Sequence, residues 1–222
     1  MRTIAVIALK GGSGKTTLAA HIALAAHLRG MPTLVADTDP QRSAADIFRA
    51  RQGEGPQCIA VTGHDLFSAQ MSAMASGIEA MVIDTAAGAI EDVGQAIVLA
   101  DLSLLVVRPT LLDIAAAVRT VDVVRRLKKD AMLVVNQAPP ARDGVEAPSV
   151  KRAMRALEFL RVPIMPTLIR SRLIYQTALE TGRSAEEAFD VSAAEEIAEL
   201  WAFIETHVFE HQDALPLRVA DR

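Results

Sequence analysis

Short continuous runs of Val, Ile, Leu, Met and Ala alternate along the chain with longer Ala-rich stretches in which apolar positions recur at helical spacing. Runs at 3–9, 33–37, 57–62, 80–84, 102–107, 131–136 and 163–168 predict strands, and because they are apolar throughout, these strands are expected to be buried on both faces. The stretches at 15–29, 41–50, 64–76, 90–99, 111–129, 148–160, 172–181 and 192–209 predict helices. Such alternation is the mark of repeated βα units. It predicts an α/β fold, a mostly parallel twisted sheet with helices on both faces. A single domain over 1–209 is expected, followed by a loose C-terminal tail at 210–222.

Composition changes this picture only modestly. With 222 residues the chain has ample length for one large core. Cys58 is the single cysteine. That excludes an intramolecular disulfide and a cysteine-cluster metal site, and predicts a small buried apolar residue. No zinc site is expected. The apolar run after Met1-Arg2 ends at Leu9, too short for an export signal, and no run approaches bilayer length. A cytoplasmic protein is expected.

The first predicted strand leads into Lys10-Gly11-Gly12-Ser13-Gly14-Lys15-Thr16-Thr17. Three glycines within four residues let the backbone approach an anion, so that successive N–H groups converge on phosphate oxygens. A helix starting near Lys15 adds the positive end of its dipole. In such a loop Lys15 reaches the β- and γ-phosphates and the Thr16 hydroxyl is a ligand of Mg²⁺. The cofactors implied are ATP and Mg²⁺. Two further strands end in carboxylates: Asp37-Thr38-Asp39-Pro40-Gln41 after the second, and Asp84-Thr85-Ala86-Ala87-Gly88 after the fourth. In an open parallel sheet, both fall at the edge where the glycine-rich loop lies.

The box KGGxGKTT, with Leu9 where an ordinary P-loop has glycine and with the additional Lys10, resembles the deviant Walker A motif of the ParA/MinD family. The resemblance covers most of residues 1–183 and is strongest at 9–17, 37–41 and 80–84. It implies a P-loop NTPase of the deviant Walker A type that hydrolyses ATP slowly and works as an ATP-bound sandwich homodimer. Gly11, Gly12, Ser13, Gly14, Lys15, Thr16 and Thr17 would then cradle the phosphates, and Lys10 would reach the partner's phosphates. Asp39 would position the attacking water. Asp84, ending a strand like that of a Walker B motif, would hold Mg²⁺, and Asp37 would contact Mg²⁺-bound water unless it caps the next helix instead. Ala86 replaces the proline of many relatives. Asn136 either pairs with adenine, whose N6 and N7 match a carboxamide, or is a turn residue before Pro139 and Pro140. Asp113 reads as a carboxylate in the first turn of a helix.

Charge is segregated. Residues 119–183 hold 13 of the 23 Lys and Arg against six acidic residues, whereas 184–213 hold nine acidic residues and no Lys or Arg. A local basic surface suffices for sequence-independent DNA binding. The resemblance makes Arg170 and Arg172, then Arg152 and Arg155, the candidates, although each also reads as a solvated or helix-terminal cation. The acidic C-terminal helix disfavours membrane attachment. The expectation is a short partition-type ATPase, associated with the nucleoid and stimulated by a ParB-like or other partner. The competing expectations are a nucleotide switch acting on a secretion, flagellar or polysaccharide machine without DNA, and an enzyme passing phosphoryl to a metabolite carboxylate.

Overall fold

The computed structural model describes residues 1–88 and 90–210. Six strands form one sheet: β1 (Arg2–Ile7), β2 (Thr33–Asp37), β3 (Gln57–Ala60), β4 (Ala80–Asp84), β5 (Leu102–Val107) and β6 (Ala131–Val135). Their spatial order is β3-β2-β4-β1-β5-β6, and every pairing is parallel. The helices are α1 (Lys15–Leu28), α2 (Ser43–Ala50), α3 (Leu66–Ala75), α4 (Ile90–Leu99), α5 (Leu111–Leu127), α6 (Pro148–Glu158), α7 (Ile174–Thr177) and α8 (Val191–Ile204).

Alternate residues of each strand feed opposite cores, the two-period of an extended chain. Ile4 and Val6 of β1 and Val82 of β4 join Leu18 and Ile22 of α1 and Ile197, Leu200 and Trp201 of α8. Ala5, Ile7, Met81 and Ile83 face the other way, against Leu66, Val93, Ile97, Val121 and Leu157. Both layers are apolar, and five strands are buried on both faces as expected, Arg2 apart, whereas the edge strand β3 is exposed at Gln57 and Ala60.

The expected seventh strand, 163–168, is absent. The segment does run beside β6, with Leu133 N–H donating to the Pro163 carbonyl and Met165 N–H to that of Leu133. It makes only an isolated bridge, Leu133 with Ile164. Pro163 and Pro166 have no N–H to give, so a continuous ladder cannot form. The expected helix 172–181 is likewise broken into α7 and a 3₁₀ turn at Leu179–Thr181, and 192–209 ends as π-helical turns over Glu205–Glu210. Cys58 is half-buried on the edge strand β3 rather than enclosed. The tail expected from 210 lies, apart from Glu210, outside the described residues.

Candidate nucleotide-binding site

Five strands deliver chemistry to one edge of the sheet. β1 runs into the glycine-rich loop, β2 ends at Asp37, β4 at Asp84, and Arg108 and Asn136 follow β5 and β6. Parallel strands share an edge for their carboxyl ends, so residues far apart in sequence meet there.

The loop owes its path to glycine. Gly12 and Gly14 have φ of 74° and 90°, a region closed to most side chains. Gly14 is also hemmed in: a Cβ there would lie 2.4 Å from Asn136 Nδ2. Asn136 is buried and its Nδ2 donates to the Ser13 carbonyl at 2.8 Å, while Gln137 Nε2 donates to the Gly12 carbonyl at 3.3 Å. Asn136 Oδ1 accepts from Gln137 N–H. The two carboxamides thus hold two of the loop's carbonyls. This bracing is a role that neither expectation for Asn136 included.

Lys15 opens α1 and is 7% exposed. Burial lowers its pKa, with Asp84 and Asp39 pulling the other way. Asp84 is fully buried, and neither carboxylate oxygen accepts a hydrogen bond. Burial pushes its pKa up to about 7; the nearby Thr16 hydroxyl and the Lys15 charge oppose this, and Asp37 and Asp39 add to it. An orphaned buried carboxylate beside a threonine hydroxyl and a lysine suits a hard cation, which takes oxygen ligands.

Asp37 is handled differently. Its Oδ1 accepts from Asp39 N–H at 3.0 Å, and its Oδ2 from Ala44 and Ala45 N–H at 3.1 and 3.2 Å. It caps α2 and shapes the loop carrying Asp39, which is the alternative reading of this residue. Asp39 is half-buried, with Oδ1 accepting from Gln41 N–H. Thr38 ties this loop to the next: its N–H and hydroxyl both donate to the Asp84 carbonyl, and its oxygen accepts from Ala86 N–H. Thr38 thereby links the two carboxylate loops directly.

A cleft continues from Gly14 and Thr17 past Asn136 to Ser171, Arg172 and Tyr175. Its far wall is organised by Glu196 of α8, one of the acidic residues of the C-terminal helix. Glu196 is 9% exposed and binds Arg170 N–H at 2.8 Å, the Tyr175 hydroxyl at 2.7 Å, and Arg172 through Nε and Nη2 at 2.9 and 2.7 Å. Arg170 in turn makes a two-point pair with Glu146 at 2.6 and 2.8 Å, holding that carboxyl below its usual range. Both arginines are thus bound to carboxylates. Arg152 and Arg155, by contrast, lie exposed on α6.

One residue beside the phosphate loop was also under-read. Asp113, buried at the third position of α5, accepts from Lys10 Nζ at 2.6 Å and from Arg108 Nε and Nη2 at 2.9 and 3.2 Å. A TxxD capping pair, Thr110 with Asp113, signals the helix start, but the Lys10 partner comes from 103 positions away.

The glycine-rich loop between β1 and α1 and the carboxylates at neighbouring strand ends define a P-loop nucleotide-binding protein. Residues 4–184 match the family described as the CobQ/CobB/MinD/ParA nucleotide binding domain, and the chain belongs to that family. It is 28% identical over 209 residues to Maintenance of carboxysome distribution protein A of Halothiobacillus neapolitanus, covering 89% of this chain and 94% of that protein. Among solved structures, apo McdA of Cyanothece superposes with a TM-score of 0.76 at 14% identity, over 90% of this chain and 98% of that one. The septum site-determining protein MinD of Pyrococcus horikoshii, complexed with Mg-ADP, gives 0.75 at 15% identity, over 92% and 96%. The six-strand parallel fold is that of these proteins.

Proposed function

We propose that the chain is a Mg²⁺-dependent ATPase that forms an ATP-bound sandwich dimer, binds DNA without sequence preference, and uses slow, partner-stimulated hydrolysis to position a DNA or protein cargo. The observation that carries the nucleotide half is Asp84, a buried carboxylate with no partner of its own beside Lys15 and Thr16. With Mg-nucleotide bound, Thr16 and Asp84 would hold the cation, which supplies charge neutralisation at the phosphates.

The chain's own groups account for the rest. N–H groups from Gly11 to Thr17 cradle the phosphates, and Lys15 neutralises the β- and γ-oxygens. Asp39, on the loop that Asp37 shapes, orients the water. Lys10 acts on the partner's phosphates, a cation supplied in trans. The dimer would also cover Leu111 and Leu112, which are 80% and 67% exposed beside the Lys10 contact.

Among the described residues no helix is long and apolar enough to cross a membrane. The positioning role follows the relative named for maintaining carboxysome distribution. DNA contact is assigned to Arg152 and Arg155 on the exposed face of α6, with Arg170 and Arg172 contributing only if they leave their carboxylates.

That last condition favours a second reading, a nucleotide switch acting through a protein partner without DNA. Binding to unrelated duplex DNA with ATP, with ADP and without nucleotide, over a salt series, separates them. Binding only with ATP, falling with a slope of roughly −0.9 per phosphate contact, supports the first. A protein that dimerises with ATP and binds no DNA at low salt supports the second.

A further inference from the structure

The Lys10–Asp113 contact lies within one chain, and it occupies the very ammonium that the proposed function sends to a second chain. Asp113 Oδ2 receives three donors: Lys10 Nζ at 2.6 Å, Thr110 Oγ1 at 2.5 Å and Arg108 Nη2 at 3.2 Å. Its Oδ1 receives Arg108 Nε at 2.9 Å. One buried carboxylate therefore faces two cations, and the cluster carries one positive charge in excess.

That excess makes Lys10 the exchangeable member. If its ammonium leaves, Asp113 keeps a two-point guanidinium pair and the Thr110 hydroxyl, so no buried charge is orphaned. If Arg108 left instead, both Nε and Nη2 bonds would be lost at once. Lys10 is also the wetter partner pair, its side chain 32% exposed against 2% for Asp113. Arg108 meanwhile lies against the phosphate loop, its Nη1 3.7 Å from where a Cβ on Gly12 would sit. An anion arriving in the cradle would be felt by the same cluster that holds Lys10.

We infer that Asp113, kept charged and oriented by Arg108 and Thr110, is the resting anchor of Lys10, holding it in cis until a nucleotide-loaded second copy offers a stronger anionic site. Asp113 is then a positioning residue that sets the threshold for dimerisation, and this rests on the trans role proposed for Lys10. Two apolar neighbours, Leu111 and Leu112, place the anchor on the face that would meet the second copy.

A double-mutant cycle tests it. Dimerisation in the presence of Mg²⁺ and ATPγS is measured by sedimentation for the unmodified protein, Asp113→Asn, Lys10→Ala and the double variant. The anchor predicts that Asp113→Asn tightens the dimer about tenfold when Lys10 is present and changes it less than twofold when Lys10 is absent. Equal weakening in both backgrounds would show a carboxylate that merely supports α5, and overturns the inference, as does no change in either. If Lys10→Ala dimerises and turns over ATP as the unmodified protein does, the trans role itself fails and the anchor with it. Should Asp113→Asn not fold, the ammonium resonance of Lys10, assigned with Lys10→Arg, serves instead. It is expected to exchange slowly with water in the nucleotide-free protein and to shift on adding ATPγS; exchange as fast as that of exposed lysines overturns the contact.

Discussion

Asp37 and Asp84 stand opposite one another in the parallel ladder of β2 and β4, yet one carboxylate receives three backbone N–H groups and the other none. The difference separates a loop-shaping carboxylate from a buried one that no backbone group satisfies. Asp84→Asn is expected to stabilise the nucleotide-free protein by on the order of 2 kcal/mol at neutral pH, because it replaces a carboxyl whose ionised form burial disfavours. The same variant should lose the Mg²⁺ dependence of ATP binding. Asp37→Ala should destabilise by about 1 kcal/mol, the usual worth of a helix cap. Urea unfolding without nucleotide, and calorimetric titration with ATP with and without Mg²⁺, check both directions.

Gly14 and Asn136 form a coupled pair. Gly14→Ala puts a Cβ 2.4 Å from Asn136 Nδ2 at a φ of 90°. It should cost about 2–3 kcal/mol of stability from strain and contact together and weaken ADP binding. In an Asn136→Ala background the steric part disappears, so the two changes together should cost less than their sum. Thermal unfolding of the four proteins reads the difference.

Asp113 also predicts a pH dependence. Burial alone would raise its pKa, but donors from Arg108, Lys10 and Thr110 outweigh it and hold the carboxyl at about 2, below the usual 3.8. A depressed acid pKa stabilises the fold above the unfolded value, and that contribution is lost as pH falls through the folded value. About 2 kcal/mol should therefore separate the unmodified protein from Asp113→Asn at pH 7, start to shrink near pH 4 and be nearly gone by pH 2. Denaturant melts across that range measure it.

The basic residues divide into two groups. Arg172→Ala leaves Glu196 short of its charged donor and should lower stability by about 1–3 kcal/mol, with looser nucleotide binding because Glu196 also fixes Tyr175 and the Arg170 backbone. Arg152→Ala and Arg155→Ala should leave the melting temperature within a degree or so, as befits exposed positions. Each should reduce the salt slope of DNA binding by about one.

What the sequence made legible was local. The glycine-rich loop, Lys15, and the carboxylates closing β2 and β4 sit inside short motifs whose spacing carries their chemistry. Continuous apolar runs placed the six strands within a few residues. The seventh failed because an apolar run containing Pro163 and Pro166 looks like a strand by composition while lacking donors for a ladder. Glu196 is not singled out because nothing nearby in sequence announces Arg172 and Tyr175, some twenty residues away and folded against it. Arg170 and Arg172 read as free charge for the same reason: a basic run shows its own charge and not the carboxylate across from it. Lys10 and Asp113 are separated by 103 positions, and only the fold brings them together.

The most direct test of the account is ATP turnover and sedimentation of Asp39→Ala beside the unmodified protein. The account predicts that Asp39→Ala still forms a dimer with ATP and Mg²⁺ while its hydrolysis falls at least tenfold, trapping the assembled state. Normal turnover in that dimer would contradict the assignment of Asp39, and failure of the unmodified protein to dimerise with ATP would contradict the sandwich itself.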